Sequence, residues 1–128
     1  MFGCLGIGSV LAHDKGQHFD TPDVRDYYLT LRQPDNAMLS CCGEGDAYYA
    51  DKQEEGPNGE LIAIITDTRE NGPLKRKPIA VGTKIVVPPH KRRRVPIYNP
   101  TGHTVIFVGG SPEYNVFIVY CYEPLPLG

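Results

Sequence analysis

The 128-residue chain holds no apolar run long enough to cross a bilayer as a helix, which takes about 20 residues. It also has no CxxC, so the spacing that eases thiol–disulfide exchange and builds many zinc sites is missing. HExxH and GxxxxGK[ST] are absent, and Ser9, Ser40 and Ser111 stand in no nucleophile elbow. The glycine-rich residues 3–8 follow no strand, which removes the dinucleotide-binding reading. Adjacent carboxylates such as Glu54 and Glu55 fall in a polar turn region and read as solvated. No catalytic residue is assigned, and the chain reads as non-enzymatic.

What is present is an ordinary globular composition, 41% hydrophobic and 22% charged, with 14 glycines and 12 prolines that favour turns over long helices. The length suits one domain that buries roughly two-thirds of its unfolded surface, enough for a core without a structural metal. The net charge of −2 is unevenly spread: residues 1–60 hold 11 acids and 4 bases, residues 61–128 hold 4 acids and 9 bases. Either the two halves attract each other in the fold, or the basic half meets an anionic partner.

Residues 2–12 are apolar and end in Val10-Leu11-Ala12 before His13-Asp14, which places small residues at −3 and −1 of a signal-peptidase site, although no basic segment precedes them. Residues 1–12 are thus read as a signal-peptide remnant and residues 13–128 as the β-rich domain, periplasmic or secreted. The cysteines are Cys4, the adjacent Cys41 and Cys42, and Cys121. The expected disulfide is Cys42 to Cys121, with Cys41 as the alternative partner; loss of Cys4 with the leader would leave one thiol over. A bridge closing about eighty residues stabilises a fold by about 4–5 kcal/mol in the chain-entropy model.

The first helix is signalled at Thr21-Pro22-Asp23, where an N-cap residue, a proline and an acid coincide, and it should run to about Arg32. Val24, Tyr27, Tyr28 and Leu31 fall on one face as its buried side. Strands are expected over residues 46–51, 60–68, 79–87, 104–108 and 115–122. The first two should pair as a long hairpin around Pro57-Asn58-Gly59, and the apolar Leu61 to Ile65 run marks a central strand covered on both faces. The last two should be joined through Gly109-Gly110-Ser111-Pro112. The fold class is mainly β (α+β): one N-terminal helix packed on a mostly antiparallel five-stranded sheet or small open barrel.

The chain combines His13-Asp14 with Gly16-Gln17 after the apolar leader, Cys41-Cys42 after the first helix, Asn99-Pro100-Thr101-Gly102 before a hydrophobic strand, and Cys121 near the end followed by a proline. In these features it resembles a group of small, uncharacterised exported proteins of alphaproteobacteria. Together these features span most of the chain, and none is a catalytic motif. The resemblance implies export and a disulfide. The chain departs from the group's pattern in its short leader and in Lys91-Arg92-Arg93-Arg94.

Three candidate sites follow. A mature N-terminal His13, with His18, offers nitrogen ligands suited to copper. Cys41, Cys42 and Cys121 with His103 or His90 offer a thiolate–imidazole set suited to zinc or Cu(I). The run Lys91-Arg92-Arg93-Arg94, with Lys75, Arg76 and Lys77 if the loops meet, would take a protein or an anionic ligand. Nucleic acid is disfavoured, since the pI is about 6.0 and only Tyr98 lies nearby to stack on bases. An exported binding or accessory protein is the expected function, with a metal-binding protein and a small enzyme as alternatives.

Overall fold

A computed structural model describes residues 21–95 and 97–125. The leader, His13 and His18 lie outside these residues. Helix α1 (Pro22–Thr30) begins where expected: Thr21 accepts a hydrogen bond from the Val24 amide, Pro22 occupies the first turn, and Asp23 sits near the positive end of the dipole. It ends two residues early because Leu31 turns extended. Strand β1 (Arg32–Gln33) then doubles back on β2 (Asn36–Ser40), so the Pro34-Asp35 turn closes a hairpin.

The remaining strands are β3 (Asp46–Tyr49), β4 (Lys52–Glu55), β5 (Leu61–Ile64), β6 (Lys84–Val87), β7 (Val105–Ser111) and β8 (Val116–Glu123). One helical turn, α2 (Asn71–Leu74), lies between β5 and β6. The described residues thus hold eight strands in three antiparallel sheets, in the orders β1-β2, β3-β7-β8 and β4-β5-β6, in place of the expected five-stranded sheet.

The long hairpin also divides differently. The strand expected over 46–51 stops at Tyr49 and pairs with β7, while the polar residues 52–55 form the strand that pairs with β5. The chain changes sheet at Ala50 and Asp51: the Ala50 amide still follows the β3–β7 register to the Thr104 carbonyl, while the Asp51 amide turns to the Thr66 hydroxyl. Residues 79–83 are likewise not strand; Gly82 takes a positive φ of 95° and the turn delivers the chain to β6. At the last hairpin, residues 109–111 belong to β7. Gly110 has φ 95°, and a Cβ there would come within 2.7 Å of the Val116 carbonyl oxygen, so only glycine fits.

Strand β5 is central in its sheet, as expected, but only Ala63 along it is fully buried. The strand covered on both faces is β7. Its Ile106 and Val108 meet Tyr48, Ala63, Ile85, Val87, Val119 and Tyr122 between the two three-stranded sheets. Its Val105 and Phe107 face the opposite way, against Val24, Tyr27, Tyr28 and Leu31 of the α1 segment. The Tyr28 ring meets Phe107 edge-on at 5.3 Å. Three layers result: α1, the β3-β7-β8 sheet, and the β4-β5-β6 sheet. No helix among the described residues is long and apolar enough to cross a membrane.

Candidate functional site

The bridge closes between Cys41 and Cys121, with 5.7 Å between the Cα atoms and a sequence separation of 80. The expected Cys42 partner is corrected to Cys41 because neighbouring side chains diverge: Cys41 is wholly buried beside β8, whereas the Cys42 sulfur lies 3.4 Å from the Tyr28 carbonyl oxygen. Cys42 is itself disulfide-bonded. The sulfurs of Cys41 and Cys121 and a carboxylate oxygen of Glu123 lie within 4.8 Å of one another. Oxidised, the two sulfurs have no thiolate to give a metal. His103 and His90 are engaged elsewhere, His103 with Asp51 at 2.6 Å and stacked on the Tyr49 ring, His90 at 4.0 Å from Asp35.

The basic run splits into two kinds of residue. Lys91 donates to Gln33 at 2.7 Å and to Asp35 at 2.8 Å, and this bond holds the Asp35 carboxyl below the usual range. Arg93 grips the buried Glu123 through two nitrogens, at 2.9 and 2.7 Å, and donates to the Arg32 carbonyl at 2.6 Å. Its amide also bonds to the Tyr122 carbonyl beside the isolated bridge of Arg92 to Tyr122. Burial pushes the Glu123 carboxyl up, against the pull of Arg93. Arg92 and Arg94 are exposed, and no ion pair among the described residues uses them. Alternate charges of the run therefore fasten it down.

Lys75, Arg76 and Lys77 do not supply a matching free patch. Arg76 is buried, donating to Asp67 at 2.7 Å, to the Ala47 carbonyl at 2.8 Å and to Asn71 at 2.8 Å. Lys77 reaches the Gly110 carbonyl at 3.2 Å. Asp67 is the hub the sequence did not reveal. It accepts from Arg69, Arg76 and the amides of Tyr49 and Arg69. Burial alone would push its carboxyl up, but these donors hold it well below the usual range. Its nearest signal was the alternation Asp67-Thr68-Arg69 at the end of an apolar strand.

Beyond the clamped segment the chain stays outside. Val95 is 76% exposed and Tyr98 71% exposed, with Ile97 also open. The far side is fixed again at Asn99, which is buried, donates to the His103 carbonyl at 2.9 Å and accepts from the Thr101 amide and hydroxyl. Gly102 completes this turn with φ 77°. Two arginines, two aliphatic side chains and a tyrosine are thus exposed on a loop anchored at both ends. Elsewhere a concavity of about 190 Å³ is lined by Glu44, Asp46, Tyr48, Lys77, Gly110 and Pro112 among others. Burial raises Asp46 there, against the charges of Arg76 and Lys77. No family model, curated protein or solved structure matches the chain.

Proposed function

We propose that the protein is an exported, non-enzymatic binding module that presents the loop carrying Arg92, Arg94, Val95, Ile97 and Tyr98 to a protein partner. The observation that carries this reading is the contrast within one loop. Lys91, Arg93 and Asn99 are tied to Asp35, Glu123 and His103, while Arg92, Arg94, Val95, Ile97 and Tyr98 are exposed. A loop fixed at its ends loses little conformational entropy on docking. Arginine and tyrosine are also the side chains that most often dominate interfaces. Export is supported by the Cys41–Cys121 disulfide, a bond that persists in oxidising compartments.

The test is site-specific photo-crosslinking in the cells that make the protein. A photoreactive residue at Tyr98 or Val95 should yield a discrete protein adduct, and one at the exposed Val86 of β6 should not. Arg94→Glu should weaken the Tyr98 adduct. No adduct at Tyr98, or equal adducts at all three positions, would refute the reading.

A further inference from the structure

The β3-β7-β8 sheet has two edges, and the fold treats them differently. The β3 edge is sealed: the Tyr49 amide donates to Asp67, the Tyr49 carbonyl accepts from the Thr66 amide, and the Ala47 carbonyl accepts from Arg76. Of the two edges of the other three-stranded sheet, β4 has Lys52, Gln53, Glu54 and Glu55 all exposed and β6 carries the exposed Lys84, charges that discourage strand addition. The β8 edge has neither protection. Its C-terminal end is covered at Tyr122 by the Arg92 bridge, but over residues 116–119 no hydrogen bond reaches its outer side from any described residue. Val116 and Ile118 are 52% and 48% exposed, and none of the four residues is charged.

We propose that this edge pairs with the same edge of a second copy, giving an antiparallel β8–β8 dimer. Residues directly opposite each other must point to the same face, so a two-fold pairing centred on Phe117 sets Val116 of each copy against Ile118 of the other. That register joins exposed apolar side chains to exposed apolar side chains. It also brings Glu113, exposed at the start of the hairpin arm, alongside the far end of the partner strand. There Arg92, itself exposed, lies on the same outer edge at Tyr122. Each dimer then holds two Glu113–Arg92 cross-pairs, which gives charge complementarity to an otherwise neutral seam. This goes beyond the binding-loop reading: the two share Arg92, but the dimer uses none of Arg94, Val95, Ile97 and Tyr98, and the loop reading uses neither Val116 nor Glu113.

Sedimentation velocity of the oxidised protein over a wide concentration range tests it. The weight-average sedimentation coefficient should rise toward that of a dimer. Val116→Lys should hold the protein monomeric. Glu113→Arg or Arg92→Glu alone should weaken dimerisation about three- to tenfold at low salt, and the double exchange should restore most of it. Tyr98→Ala should change nothing, so the edge and the binding loop fail independently. Circular dichroism of each variant confirms the fold, since all four positions are exposed. A protein that stays monomeric at every concentration, or a dimer indifferent to Val116→Lys, overturns the proposal.

Discussion

Removing the Asp67 charge should be among the most damaging single substitutions in this domain. Asp67→Asn keeps the volume but turns part of the carboxylate into a donor facing two guanidinium groups. Arg76, with a side chain only 4% exposed, would be left in the interior without its counter-ion. Stranding a buried charge costs about 3–5 kcal/mol, against a total stability of about 5–15 kcal/mol for a domain. The Tyr49 and Arg69 amides would lose an ionised acceptor in the same step. Urea unfolding of the oxidised protein at pH 7 should therefore show a loss of about 3 kcal/mol or more at unchanged slope. The pH dependence carries the sign of a lowered carboxyl: the stabilisation is full above the ordinary value of 3.8 and is lost as pH falls toward the depressed native value. The gap between wild type and Asp67→Asn should shrink below about pH 4. A loss under about 1 kcal/mol at pH 7, or a gap that widens in acid, would refute the hub.

Other outcomes follow from the same contacts. Arg93→Ala should destabilise by about 2–4 kcal/mol, since it strands Glu123, whereas Arg92→Ala and Arg94→Ala should stay within about 0.5 kcal/mol; thermal melts of the three compare them directly. Glu123 carries the opposite pH sign to Asp67. Its native carboxyl is raised above 4.5, so ionising it opposes folding, and its contribution falls as pH rises through the raised value. Glu123→Gln should therefore flatten a loss of stability on the alkaline side of 4.5, which urea midpoints between pH 4 and 7 would register. The Tyr27 hydroxyl is buried with no hydrogen-bond partner among the described residues, so Tyr27→Phe should be neutral or stabilise by up to about 1 kcal/mol in the same urea assay.

The parts of the fold legible in the sequence were those written in local chemistry. Thr21-Pro22-Asp23 announced α1, and Val24, Tyr27, Tyr28 and Leu31 are its buried face. The Asn99 to Gly102 turn forms as its residues suggest. The structure departs from the sequence pattern where tertiary contacts override it. Residues 52–55 look like a loop because every side chain is polar, yet an exposed edge strand needs no apolar face. The sheet change at Ala50 and Asp51 depends on partners at Thr104 and Thr66, fifteen or more residues away, which no periodicity reveals. The basic run was visible as charge, but its division into clamps and free arginines required Asp35 and Glu123 to be placed beside it. Choosing Cys41 over Cys42 likewise turns on which side chain faces β8, and adjacency in sequence leaves both open.

The most direct test of the account is disulfide mapping of protein taken from its producing cells with free thiols trapped at lysis. Partial reduction and fragmentation between Cys41 and Cys42 would distinguish the two pairings, and the intact mass would show where the mature chain begins. The account predicts a Cys41–Cys121 linkage with no trapped thiol on Cys41 or Cys121. Trapped thiols on Cys41 and Cys121 would contradict it, removing both the staple and the support it gives to export.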